Sequence, residues 1–99
     1  MNRYAHLNEP EDVLDFHGRG PITPGDVKRE TEAFVQACVA AGMSRIRIIT
    51  GKGLHSKGKP VVRPQVERVL RRFEADGTVR TYQSETFRGG GDGAFRVDL

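Results

Sequence analysis

Apolar positions along the chain fall into short alternating runs and two helical stripes. Val13 to Phe16 is the first run, a predicted strand that ends in Leu14-Asp15-Phe16-His17-Gly18. Strand side chains alternate faces, so Asp15 and His17 project to one side while Leu14 and Phe16 project to the other. Thr23-Pro24-Gly25-Asp26 carries the marks of a helix start: a hydroxyl cap, proline at the first helical position and an acid three residues past the cap. Val27, Thr31, Phe34, Val35, Cys38 and Val39 then recur at spacings of three and four, predicting a buried stripe that Gly42 terminates. Arg45 to Ile49 is a β-branched second strand. A second helix is expected from Arg63-Pro64, with Val66, Val69, Leu70 and Phe73 as its stripe and Arg68, Arg71 and Arg72 elsewhere on its surface. Gly77 closes it. Val79 to Glu85 predicts a third strand, residues 87–93 a glycine-rich connection, and Ala94 to Leu99 a fourth strand in a hairpin with the third.

The order β-α-β-α-β-β implies a two-layer α/β sandwich, a mixed sheet with two helices packed on it. A strand-helix-strand unit is almost always a right-handed crossover between parallel strands. The loop after Ile49 should therefore rise beside the loop after Phe16, bringing Thr50-Gly51-Lys52-Gly53-Leu54-His55-Ser56 next to Asp15 and His17. Strand ends of open α/β sheets are where ligands usually bind, and helix N-termini at that edge favour an anion.

Ninety-nine residues make one domain, here expected as an arm over residues 1–12 and a folded unit over 13–99. Hydrophobic residues at 36% and charged residues at 29% exclude wholesale disorder. No apolar run approaches the roughly 20 residues of a membrane span, and no signal peptide is recognisable, so a cytoplasmic address is expected, with no membrane partner. Cys38 is the single cysteine, which excludes an internal disulfide and a cysteine-rich zinc site.

The net charge of +3 is unevenly spread: residues 45–73 hold nine basic side chains against Glu67 alone, between two segments with an acidic excess. A concentrated basic segment points to an anionic partner, nucleic acid first, although a solvated helix face with a basic loop would give the same count. Nucleotide readings of the basic loop fail on residues. Gly53 to Lys59 fits a phosphate-binding loop up to its lysine, but Pro60 stands where a magnesium-binding hydroxyl belongs. Gly51-Lys52-Gly53 lacks the third glycine of a dinucleotide fingerprint. His17, His55, Asp15 and Asp92 could ligate a metal, but the local lysines oppose a cation and no pair has helical spacing, so no metal residues are assigned. Ser56 lacks the glycine elbow of a serine nucleophile.

What remains is phosphodiester cleavage. A histidine can exchange a proton near neutral pH, a neighbouring carboxylate can orient its ring, and a lysine in a glycine loop can meet the charge growing on phosphoryl oxygens. Asp15, His17 and Lys52 supply one of each. The residues alone leave open that Asp15 and His17 merely hydrogen-bond nearby backbone.

Leu14 to Gly18, Thr50 to Ser56, and Gly90-Gly91-Asp92-Gly93-Ala94 together resemble the three signature segments of the small MutS-related (Smr) domain family, in order, over residues 13 to 99. The resemblance implies a fold similar to the C-terminal domain of translation initiation factor three, with nucleic-acid binding and, in several members, endonuclease activity. It implies catalytic roles for Asp15, His17 and Lys52, the last where several RNA-cleaving relatives carry arginine. The nucleic-acid-binding set expected around them is Gly51, Gly53, His55, Ser56, Lys57, Lys59, Arg63, Gly90 and Gly91. The expected function is nicking of RNA or of branched or nicked DNA, with no cofactor required and a divalent metal compatible; the rival is a non-catalytic module docking on nucleic acid or a ribosome. A monomer is expected.

Overall fold

Thr23 begins the first helix by capping it. Its hydroxyl accepts from Asp26 N at 3.1 Å and the Asp26 carboxylate accepts from Thr23 N at 3.4 Å, the reciprocal box the sequence predicts. The Thr23 hydroxyl, with its backbone N–H, holds the Asp26 carboxyl below the usual carboxylate range. The computed structural model describes residues 9–51, 61–87 and 90–99. Its elements are β1 (Asp12–Asp15), α1 (Pro24–Ala40), β2 (Arg45–Ile49), α2 (Val62–Ala75), β3 (Thr81–Phe87) and β4 (Gly90–Asp98).

The strands form one sheet in the order β1-β2-β4-β3. β1 and β2 are parallel, with Leu14 opposite Ile48 and Asp15 opposite Ile49. β4 runs antiparallel to both β2 and β3. Strand alternation sorts the sheet into two faces. Leu14, Ile46, Ile48, Phe95, Val97 and Tyr82 share the core, where Val27, Val35 and Cys38 of α1 meet Val62, Val66, Val69, Leu70 and Phe73 of α2. Each fully buried Val, Leu, Ile or Phe among these contributes about 1.5–3 kcal/mol relative to exposure, while Leu14 and Tyr82 are only partly buried. Tyr82 meets Phe95 edge-on, with ring centroids 5.9 Å apart. Burial pushes the Cys38 thiol up, so it behaves as a small apolar filler. The other face is polar: Arg45 pairs with Asp98 at 2.8 Å, Arg47 with Glu85, and Arg96 donates to Gln83 at 2.9 Å.

Five expectations shift. Helix α2 starts at Val62, which places Pro64 in the third helical position instead of the first; a missing N–H is equally harmless there, because the first four lack intrahelical acceptors. Val39 is 42% exposed, since it lies about 100° round α1 from Cys38, off the buried arc. Val79 is not in β3: its N–H closes α2 on Phe73 O at 3.1 Å while its side chain is buried. The glycine run expected as a connection belongs to β4 from Gly90 onward, because ladder pairing uses main chain and needs no side chain. Of the expected arm, residues 1–8 lie outside the described residues, and its end joins the sheet: Asp12 is in β1, and Glu11 N donates to Arg45 O at 2.8 Å. No helix among the described residues is long and apolar enough to cross a membrane.

Candidate active site

Asp15 is the last residue of β1, on the face away from the helices, and the chain turns immediately after it. Phe16 goes inward to the core, tied by Phe16 N to Ile49 O at 2.8 Å. Gly18 then takes φ 70°, the left-handed conformation that reverses the chain. This leaves His17 on the rim, half-exposed, with Asp15 beneath it. Asp15 Oδ1 accepts from His17 N at 2.8 Å and lies 3.6 Å from His17 Nδ1. The carboxylate thus does both things the residues allow: it satisfies backbone and it faces the ring. An exposed pair of this kind adds only about 0–1 kcal/mol to stability, so its significance is chemical. Behind the turn, Arg19 grips Glu30 of α1 through two bonds of 2.6 and 3.0 Å and lies over the Phe16 ring, which fastens the turn to the helix layer.

The end of β2 reaches the same place. Gly51, at φ 64°, passes so close that a Cβ there would sit 3.6 Å from His17 Cβ. Its position is set by β4: Thr50 N and Gly51 N both donate to Gly93 O, at 2.9 and 3.0 Å. The buried Thr50 hydroxyl is also in reach of Gly93 O at 3.3 Å and of Gly51 O at 3.1 Å. Three separate stretches of sequence therefore meet at one corner: Asp15 and His17, Thr50 and Gly51, and Gly93.

A model of the Smr domain family matches residues 14–99. The chain belongs to the Smr domain family. Its structure is similar to the crystal structure of the Smr domain of Thermus thermophilus MutS2, with a TM-score of 0.64 and 26% identity over 89% of this chain and 96% of that one. No curated protein matches it.

Of the residues singled out from sequence, this Smr domain brings Asp15, His17 and Gly51 together. Lys52, Gly53, His55, Ser56, Lys57 and Lys59 lie outside the described residues. Arg63 lies one residue from the rim by strand register: its guanidinium is 4.2 Å from the centroid of the Phe95 ring and donates to Ser84 Oγ on β3, so it is half-buried against the sheet. Gly90 pairs with Phe87 at the start of β4, and Gly91 follows it in the strand. Gly93, not these two, carries the carbonyl at the corner. The sequence places Thr50 in the loop beside His17 and Gly93 in the third segment but gives neither a role of its own; the available signal for Thr50 is a hydroxyl at the buried end of an apolar strand. Among the described residues, no three potential metal ligands cluster.

Proposed function

We propose that this Smr domain binds nucleic acid and cleaves phosphodiester bonds as an endonuclease on RNA or on branched or nicked DNA. The observation that carries the reading is the Asp15 carboxylate set 3.6 Å from His17 Nδ1 on a rim, with Gly51 against the ring-bearing residue. Smr family membership supports it, since Smr domains are generally nucleic-acid-interacting modules. With Nδ1 facing the carboxylate, Nε2 is the nitrogen assigned to proton exchange. The attacking oxygen, a 2′-hydroxyl of RNA or a water, loses its proton to His17 as it bonds to phosphorus. The bond to the leaving oxygen breaks, and that oxygen takes up a proton. Asp15 stabilises the imidazolium that exists in between. Lys52, one residue beyond Gly51, is assigned to the negative charge that grows on the phosphoryl oxygens.

His17→Ala tests this. Cleavage of a labelled RNA hairpin or nicked duplex should fall by about 100-fold or more, the usual share of a general acid-base group, while binding stays within a few-fold. Undiminished nicking by the variant would refute the reading. Binding without cleavage by the unaltered chain would favour the non-catalytic module.

A further inference from the structure

The exposed side of the helix layer carries a second group of cations. On α2, Arg68, Arg71 and Arg72 lie three and four residues apart, on the side opposite the buried Val66, Val69 and Phe73, and all three are exposed. Arg72 forms an ion pair with Glu32 of α1. That bridge fixes the alignment of the two helices. Lys28 stands one turn before Glu32, and Arg68 one turn before Arg72.

Both helices also run the same way. α1 follows the turn that holds His17, and the first turn of α2 is anchored by Arg63 to Ser84, which lies in register with Phe95 and Ile48, one residue from the rim. α1 ends where the chain leads into β2 and α2 where Val79 leads into β3, and the first residues of those strands, Arg45 and Thr81, both lie opposite Asp98. Lys28 and Arg68 therefore both lie on the rim side of the bridge, one turn from it. Four cations, Lys28, Arg68, Arg71 and Arg72, share this ridge with Glu32 as the one carboxylate bonded to them among the described residues.

Like charges at the spacings of Arg68 to Arg71 and Arg72 weaken a helix. Of the acids on α2, Glu67, four residues before Arg71, and Glu74, three after it, offset that repulsion beside Arg71 only, leaving Arg68 with no acid three or four residues away on α2. The weak 3.4 Å contact from Arg68 to Gln65 neutralises nothing. An anion laid along the ridge would reverse the penalty, and the arginine fork matches phosphate oxygens two at a time. We propose that Lys28, Arg68 and Arg71 form a second contact for nucleic acid, holding the sugar-phosphate backbone where the strand leaves the His17 rim and runs down the helix layer. The ridge reads no bases and touches no reacting atoms. It lengthens the footprint. The proposal rests on the nucleic-acid reading for the identity of the partner, and on the ridge for its place.

The test is anisotropy of a labelled nicked DNA duplex and a labelled RNA hairpin with the full chain, as unaltered protein, as Arg68→Gln/Arg71→Gln and as Arg80→Gln. Arg80 lies at the opposite end of the sheet, where its N–H bonds Asp98 O. Neutralising one phosphate-binding cation should lower the slope of log affinity against log salt by about one. The unaltered protein's advantage over the double variant should therefore shrink about tenfold between about 50 and 200 mM salt. Arg80→Gln should keep the full slope. An unchanged slope in the double variant, or an equal effect per charge in Arg80→Gln, overturns the ridge and leaves the rim untouched. Failure of the unaltered chain to bind either probe at any salt would instead overturn the nucleic-acid reading, and the ridge with it.

Discussion

Gly51→Ala measures how closely the second segment is held against the first. Gly51 sits at φ 64°, where an L side chain costs about 1–2 kcal/mol because Cβ crowds the following carbonyl. Space adds nothing to that cost: the new methyl would lie 3.6 Å from His17 Cβ and 3.7 Å from His17 Cα, ordinary van der Waals contact. Gly18 supplies the reference. It has φ 70° and nothing within 4 Å of where its Cβ would be. Gly51→Ala and Gly18→Ala should therefore destabilise the chain by the same amount, about 1–2 kcal/mol each, which for a domain of this size lowers Tm by several degrees per kcal/mol. Asparagine tolerates the left-handed region, so Gly51→Asn should cost less than alanine. Urea unfolding followed by circular dichroism gives the three values. If Gly51→Ala cost several kcal/mol more than Gly18→Ala, the room beside His17 would be absent. If it cost nothing, the tie of Gly51 N to Gly93 O would not be holding the conformation.

Two further stability predictions concern single side-chain oxygens. Thr31 Oγ1 is buried in the middle of α1 with no hydrogen-bond partner, so Thr31→Val, of the same shape, should raise stability by about 1 kcal/mol or more and raise Tm accordingly; a lower Tm would mean the hydroxyl is satisfied. Thr23→Ala should cost about 1 kcal/mol by removing the cap of α1. The same change should flatten the acid limb of the stability curve. The Asp26 carboxyl is held low by Thr23 and that of Asp76 by Thr78, so their contribution is present above the ordinary carboxylate range near pH 4 and is lost as pH falls through the lowered native values. Urea midpoints across the acid range give the comparison, and identical acid limbs for both proteins would contradict the assignment.

How far the fold is legible in the sequence depends on whether the deciding interaction is local. The Thr23 box, the β-branched run of β2 and the parallel placement of β1 and β2 all follow from short-range pattern or chain handedness, and all are present. What the pattern could not supply is strand order. β4 takes a central place because Phe95 and Val97 fit opposite Ile48 and Ile46, a long-range packing choice invisible to periodicity. The same packing governs Arg63. Its charge suggests a phosphate contact, and periodicity does not foretell that the Phe95 ring and Ser84 Oγ lie within its reach and seat its guanidinium on the sheet. At the rim, the two-residue spacing of Asp15 and His17 is enough to place them together. The Gly93 carbonyl that positions Thr50 and Gly51 is hidden in a stretch that looks like loop, because glycine strands carry no side-chain signal.

On this reading Asp15 acts through His17, as one unit at the corner where β1, β2 and β4 meet. A double-mutant cycle tests that coupling directly, with single-turnover cleavage measured for Asp15→Asn, His17→Ala and the two combined. The combined variant should be no slower than His17→Ala alone, because a carboxylate with no imidazole to serve has nothing further to contribute. Rate decreases that multiply would show two groups working independently, and would contradict it.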